Sequence, residues 1–496
     1  MDRRFCFSGW AIALACTLAV AFLIRIWELG SVPAAVHPDE LAGVVGVLDE
    51  LTHRAPLRAF FDYRIMYLPL YGICEYVTTW FLGFTPVAFR FPAAAFGVAT
   101  VFCTVAFTRR LVRDRVVALL AGAIMAILPW DVTISRVGWE PAAMLPFVLG
   151  GLWALLAGLQ DRRAWLVVLS GALFGAGAYS YRAAFPYALV LSAAIVLCHW
   201  PLARRAWRAI LAAACAWLAV MLPLILSVAF DRDFFWRDRR ISTFAGGVNA
   251  HSLHLFVHNY LAHFAFGPLF RSGDGNPNHG PPFGVLYLWM LPWLLFGAIA
   301  VWKRHGARIG IFLVVWLLLY PLGGALTNDG IPHFLRTLAG APLACILTAV
   351  GLVEAWAALL RTKLAAYTHA AALGFALIVV VEFTLFCATY FVAYVPASAS
   401  AYQFENPELF RIVNSYRSQV ARVCFRDINT MNSLTLYAYY LRGSNITTFE
   451  GTALPCVKPR SLTVTNNRAK APTGASLVAT VQDYHGHVSR YVFLTR

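Results

Sequence analysis

GWAIALACTLAVAFLIRIWELGSVPAAVHPDE, residues 9–40, runs from an apolar segment straight into two adjacent acids, Asp39 and Glu40. The apolar part matches the roughly 20 residues that a helix needs to cross the hydrocarbon core of a bilayer. A removable secretory leader carries a small-residue cleavage site after its apolar stretch. Here Trp27 is followed by ELGSVPAAVHPDE and then by many further apolar runs, so the segment reads as a retained transmembrane helix. Composition agrees. Of 496 residues, 60% are hydrophobic and 13% charged, and the mean hydropathy is +0.65, values of a polytopic membrane protein rather than a soluble one.

Eleven segments have the length and apolarity of spans: 9–28, 87–108, 116–131, 141–159, 164–180, 183–200, 208–229, 284–302, 309–326, 338–360 and 370–394. With the N-terminal Arg3 and Arg4 on the cytoplasmic side, alternate loops should hold the Lys/Arg excess. They do, at Arg109, Arg110, Arg113 and Arg115, at Arg162 and Arg163, at Arg204, Arg205 and Arg208, at Lys303, Arg304 and Arg308, and at Arg361 and Lys363. The apolar stretch 66–84 would break this alternation if it crossed, so it is expected to be a juxtamembrane or re-entrant segment held against protein. The net charge of +16 is explained by these short clusters; no single basic stripe for nucleic acid is present. In GALFGAGA, Gly171 and Gly175 have the small-xxx-small spacing of close helix packing.

After the last span, a helical pattern in ENPELFRIVNSYRSQV precedes strand-like runs, RVCFRDI, SLTLYAYYL, SLVATVQDY and RYVFLTR. The expected fold is therefore an all-α polytopic membrane domain, residues 1–395, with a first outer loop at 29–87, followed by a small extramembrane α/β domain, residues 396–496. The ten cysteines stand singly, without Cys-x-x-Cys or Cys/His ligand spacing, so no metal framework is visible and no cofactor is required. Cys424 and Cys456 lie in the polar tail and are the candidates for a disulfide.

Pro38 suits a first helical position, Asp39 and Glu40 fill the first turn, and Leu41, Val44, Val45, Leu48 and Leu51 repeat at helical spacing. This predicts an amphipathic helix lying along the interface. Acids in a first turn complement the helix dipole whatever a protein does. The same topology, however, brings Arg136 and Glu140, Arg182, and His333 and Arg336 to outer helix ends. Carboxylates beside fixed cations at one membrane depth suit a lipid-linked phosphate. A carboxylate takes a proton from an attacking hydroxyl, and guanidinium groups hold the departing phosphate. His251, His254, His258 and His263 share one outer segment at near-helical spacing, and without a recurring acid beside them they read as a solvated face.

HPDE at 37–40, YLPLYGI at 67–73, FRFPAAAFGVATV at 89–101, LPWDVTISRVGWEP at 128–141, GDGNPNHGPPFG at 273–284 and LTNDGIPHFLRT at 326–337 follow one another along the chain. Together they resemble the GT-C glycosyltransferases, especially bacterial relatives of protein O-mannosyltransferases and of the aminoarabinose transferases that modify lipid A. The resemblance implies inverting transfer of a hexosyl or pentosyl unit from a polyprenyl-phosphate donor to a hydroxyl of a protein, lipid or glycan. It places the reaction at the periplasmic face of a bacterial inner membrane. It implies Asp39 as general base, Glu40 beside it orienting acceptor or sugar, and Glu140 as a second acidic contact. Arg136, Arg182, His333 and Arg336 would hold the donor phosphate, with Tyr63, Tyr71 and His279 as substrate contacts.

The chain departs from that pattern in places. Where aminoarabinose transferases carry a lysine before Pro-Pro-Leu, it reads FDYRIMYLPLYG, which leaves Arg64 as a displaced substitute of different reach. Glu140 stands where several relatives use Asp, and the Asp-x-Asp metal site of oligosaccharyl transferases is missing, so no required divalent ion is inferred. A transporter or flippase of lipid-linked sugars is the alternative reading, although no internal repeat of the kind transporters show is found.

Overall fold

In a computed structural model of the chain, the described residues are 3–52, 69–230, 236–426, 447–450 and 459–495. The helices in the first part are α1 (Arg3–Ile26), α2 (Pro38–Thr52), α3 (Pro69–Leu82), α4 (Pro86–Val112), α5 (Arg115–Ile127), α6 (Pro129–Ile134) and α7 (Pro141–Asp161). There follow α8 (Ala164–Ala178), α9 (Ala184–Cys198), α10 (Trp200–Arg205), α11 (Trp207–Phe230), α12 (Trp236–Ile241) and α13 (Ala250–Ala262). The rest are α14 (Met290–His305), α15 (Ala307–Leu319), α16 (Leu322–Ala325), α17 (Gly340–Leu359), α18 (Thr368–Ala388), α19 (Tyr394–Ser398) and α20 (Asn406–Ser415).

Local chemistry sets their ends. Thr85 caps α4 by accepting from the Ala88 N–H ahead of Pro86, and Asp114 caps α5 through the Val116 and Val117 N–H groups. Each of the eleven apolar segments contains a helix. Among the described residues, seven helical segments are long and apolar enough to cross a membrane: 9–26, 86–112, 141–161, 207–226, 307–325, 340–359 and 363–398. The helices α5, α8, α9 and α14 have 13, 15, 15 and 16 residues, which at about 1.5 Å per residue fall short of the hydrocarbon thickness. Helix length alone therefore supports seven crossings among the described residues and does not confirm the expected eleven. Over 66–84 the described part is α3, a 14-residue apolar helix too short to span, packed on α2 and α4.

The bundle closes around small residues. A Cβ on Gly171 of α8 would meet the Ala213 carbonyl of α11 at 2.0 Å, and one on Gly175 would meet Val220 Cβ at 2.8 Å. These are the helix contacts that the spacing predicts.

Three fully buried guanidinium groups organise the loop between α1 and α2. Arg25 meets Asp131 at 2.5 Å and also donates to the Ala126 carbonyl. Arg90 of α4 bonds Glu40 through Nε at 2.8 Å and Nη2 at 3.1 Å, and donates to the carbonyls of Leu29, Pro33 and Ala35. Arg136 donates to the carbonyls of Ile24 and Arg25 at 2.7 and 2.9 Å and sits over the rings of Tyr390 and Phe391. Irregular backbone at this depth is thus supplied with donors from within the protein, as a low-dielectric setting requires.

Beyond Ser398, α20 precedes a five-stranded mixed sheet in the order β2-β1-β3-β5-β4, with β1 (Arg422–Arg426), β2 (Thr447–Glu450), β3 (Ser461–Thr465), β4 (Ser476–Gln482) and β5 (Val488–Thr495). β1 pairs parallel to β2 and β3, and the other pairs are antiparallel. The run SLTLYAYYL lies outside the described residues, and β2 and β3 are strands that the pattern did not single out. Cys424 in β1 is buried and disulfide-bonded; Cys456 lies outside the described residues. Contrary to the expectation of an interfacial α2, Leu41 and Val44 are buried in one cluster with Phe89 of α4, Phe410 of α20 and Val464 of β3. A covered apolar face has no need of a membrane surface.

Gly171→Leu is expected to lower the thermal unfolding midpoint of the purified protein in nanodiscs, by the equivalent of about 1–3 kcal/mol from overpacking. Gly374→Leu, on α18 where nothing lies within 4 Å of the added Cβ, is the control expected to melt like wild type.

Candidate active site

A cavity of about 450 Å³ opens at the end of the bundle where the 24–40 loop is pinned. Asp39, Glu140, Arg182, His279, His333 and Arg336 all line it. They arrive from five separate segments: the start of α2, the start of α7, the α8–α9 turn, the loop before α14, and the stretch between α16 and α17.

Asp39 presents its carboxylate with 31% of its side chain accessible. Its N–H donates to His37 Nδ1 at 3.1 Å, and the carboxylate lies 3.7 Å from that nitrogen. An imidazole nitrogen that accepts an N–H is unprotonated, so His37 is neutral in this arrangement. Burial among Trp139 and Tyr402 holds His37 below its ordinary basicity, outweighing the nearby Asp39 and Glu40 carboxylates.

Arg336 is held at the rim by Thr327 at 2.5 Å and by the Asp329 carboxylate at 2.9 Å. Asp329 is 55% accessible and Arg336 12%, so the guanidinium is positioned from the solvent side while one flank borders the cavity. Arg182 and Glu140 line the neighbouring wall, with Tyr181, Asn276 and Asn278 beside them.

Other expected site residues serve the frame. Glu40 has no accessible surface. Besides Arg90 it accepts the His37 N–H at 2.8 Å and the Gly138 N–H at 2.9 Å, so it orients the loop and does not reach the cavity. Arg136, expected on the donor phosphate, spends its donors on buried carbonyls. Tyr71 is likewise buried, its hydroxyl donating to the Phe89 carbonyl at 2.9 Å. Tyr63 and Arg64 lie outside the described residues.

Some neighbours were not among the candidates. His37 and Asp329 sit inside the quoted motifs and carry the chemistry of positioning. Asp274, also inside a quoted motif, binds His279 Nδ1 through Oδ2 at 2.6 Å, and the same oxygen accepts the Phe334 N–H at 3.2 Å. The His279 and His333 rings lie 4.6 Å apart. Burial, reinforced by His279, Arg336 and His263, pushes His333 well below ordinary histidine basicity. Among the described residues, Asp274, His279 and His333 are a group whose donor types and proximity could hold a metal ion. Glu75 of α3 is buried behind the Glu40 clamp, and burial together with Glu40 and Glu140 raises its carboxyl well above the usual range.

Residues 73–230 match the family model described as dolichyl-phosphate-mannose-protein mannosyltransferase. The polyprenol-phosphate-mannose–protein mannosyltransferase of Corynebacterium glutamicum is 31% identical over 98 residues, 20% of this chain and 19% of that protein. The match therefore spans about a fifth of that relative's length. In three dimensions, ArnT from Cupriavidus metallidurans bound to undecaprenyl phosphate superposes with a TM-score of 0.62 at 14% identity, covering 98% of both chains. The oligosaccharyltransferase AglB from Archaeoglobus fulgidus, in complex with an inhibitory peptide and a dolichol-phosphate, gives 0.53 at 15% identity over 89% of this chain and 65% of that one. With its membrane helices and its small C-terminal sheet, the chain shares the fold of these two membrane proteins.

Proposed function

We propose that the chain is an inverting glycosyltransferase that moves a sugar from a polyprenyl-phosphate donor to an acceptor hydroxyl, at the periplasmic face of a bacterial inner membrane. The observation that carries this reading is the shared cavity of Asp39, Arg182 and Arg336. The Asp39 carboxylate takes the proton of the acceptor hydroxyl as its oxygen forms a bond to the anomeric carbon. The bond from that carbon to the phosphate oxygen breaks, and the polyprenyl phosphate leaves with the electron pair. Attack from the face opposite the leaving group inverts the configuration. Arg182 and Arg336 hold the phosphate and offset its growing charge. His37, neutral and accepting from the Asp39 backbone, fixes the carboxylate without supplying a competing cation.

The relatives named for polyprenol-phosphate mannose, and the neighbour bound to undecaprenyl phosphate, support a lipid-linked donor. The acceptor hydroxyl belongs to a protein, lipid or glycan. Transport of a lipid-linked sugar would use the same cations but gives an accessible carboxylate no task, and no observation favours it.

Asp39→Asn is expected to lower transfer from a radiolabelled polyprenyl-phosphate sugar in membranes by about 10²–10⁴-fold, with an unchanged melting midpoint. Unchanged transfer at equal protein level would remove Asp39 from the base role. Glu40→Gln should instead destabilise, toward the roughly 3–5 kcal/mol typical of breaking a buried ion pair, because it leaves Arg90 charged and uncompensated.

The pH dependence of stability follows from His37. Burial depresses its folded-state basicity below that of an ordinary histidine, so below about pH 6.5 the unfolded chain binds the proton first. Stability is then complete above that pH and declines as pH falls toward the depressed folded value. Thermal melts at pH 7.5 and pH 5.5 should show a smaller loss in His37→Asn than in wild type.

A further inference from the structure

We propose that Glu75 is a positioning residue for Asp39: an acid that keeps its proton and fills a slot between Gly43 of α2 and Gly138 ahead of Glu140. The proposal rests on the reading of Asp39 as the base. Glu75 is 1% exposed, and among the described residues neither of its carboxyl oxygens has a hydrogen-bond partner. Two glycines shape the slot. A Cβ on Gly43 would stand 2.7 Å from Glu75 Oε2, and one on Gly138 would stand 3.2 Å from Oε1 and 3.3 Å from Glu40 Cβ. Beside it α2 and α3 cross closely, since a Cβ on Gly72 would meet the Gly43 carbonyl oxygen at 2.6 Å.

The Arg90–Glu40 pair leaves nothing for a second carboxylate. The five N–H groups of Arg90 go to both oxygens of Glu40 and to the carbonyls of Leu29, Pro33 and Ala35. Glu40 accepts two of those bonds and one each from the His37 and Gly138 N–H groups, which fills its lone pairs. The pair is complete and neutral without Glu75. An ionised Glu75 would be a buried anion with no cation of its own, set beside another anion, and a low-dielectric interior does not support that. Among the described residues, the charged and titratable groups around it are Glu40 of α2, Glu140 at the start of α7, Tyr71 and Cys74 of its own helix, and Arg90 of α4 behind Glu40. Burial first, then Glu40 and Glu140, raise its carboxyl well above the usual range, and the Val44 N–H of α2 opposes them more weakly.

The consequence reaches Asp39 through Glu40. Glu40 holds the His37 and Gly138 N–H groups, and His37 in turn accepts the Asp39 N–H. Taking the proton from Glu75 sets it against Glu40 and Glu140 at once. That repulsion parts α2 from the segment before α7 and moves Asp39 relative to Arg182 and Arg336. Transfer therefore needs Glu75 protonated and is lost as pH rises through its folded-state value. Stability has the same sign. The folded chain holds this proton more tightly than the unfolded chain, so stability falls as pH rises above about 4.3, the ordinary glutamate value, until the folded acid ionises.

The test compares the full chain in nanodiscs with Glu75→Gln and Glu75→Met, which keep the side-chain length and cannot ionise. In thermal melts from about pH 5 to about pH 8, wild type should lose stability against both variants, the gap in midpoint widening as pH rises. A gap that stays constant would overturn the proposal. In transfer assays with a radiolabelled polyprenyl-phosphate sugar, the alkaline limb of kcat should lie at least about one pH unit higher in Glu75→Gln than in wild type. Coincident limbs, with transfer still lost in Asp39→Asn, would remove Glu75 as a positioning residue and leave the base role standing. Absence of transfer in wild type would remove both. Infrared spectra of wild type at about pH 7 should carry the C=O band of a buried protonated carboxyl. Its absence would overturn the proposal even where neither variant folds.

Discussion

The buried pair of Arg90 and Glu40 is the constraint on which the cavity depends. Neither side chain has accessible surface, and two charges taken out of water are stable together only when their remaining donors and lone pairs are also satisfied. Arg90 meets that demand with the carbonyls of Leu29, Pro33 and Ala35, and Glu40 with the N–H groups of His37 and Gly138. The price of burying the pair is therefore met by backbone that would otherwise have no partners. One ion pair thereby ties α4, the loop after α1 and the segment before α7 into a single rim.

This explains why two carboxylates stand side by side after the first span. Successive residues on a helix point about 100° apart, so adjacent acids cannot share a face. Glu40 turns inward to the guanidinium, and Asp39 is left facing the cavity on a backbone that Glu40 and His37 have fixed. The second acid of the pair is thus the anchor of the first. A similar division holds among the cations. Arg25 and Arg90 are neutralised by buried acids, and Arg136 is embedded in carbonyls and aromatic rings. Arg182 and Arg336 border the open space.

Apolar run length, alternating Lys/Arg clusters and Pro at helix starts made the helices legible, and the quoted motifs located the loops that build the site. Those signals act along the chain, within a turn or a span. They do not carry depth. Arg136 and Arg336 both follow outer helix ends, yet one is enclosed by the 24–32 carbonyls and the other is held by Asp329 at the rim, a difference that arises only when distant segments pack. The same reason hid Asp274, which meets His279 within its own loop but gains His333 from a segment almost sixty residues away. β2, of four residues, is too short for alternation to stand out, and β3 is buried at every position, so it has no alternation to read. The span count goes unconfirmed for another reason: hydropathy marks an apolar stretch but not where caps such as Asp114 and Leu128 end the helix.

The C-terminal sheet enters this scheme through α2. Leu41 and Val44 follow directly on the acids and are packed with Phe410, Val423 and Val464 of the unit beyond the last membrane helix. Fully burying such a side chain contributes about 1.5–3 kcal/mol, and here that stabilisation acts on the helix whose first turn carries Asp39. Loops 274–281 and 24–40 are steadied from the same side, since Tyr402 donates to the Asn278 carbonyl at 2.9 Å and packs edge-on against His37. A tail that follows the last membrane helix and returns to cover α2 thus gives the rim of the cavity a protein floor in place of a fluctuating lipid surface. That is the physical reason to join a small soluble sheet to a membrane bundle whose cavity lies at helix ends.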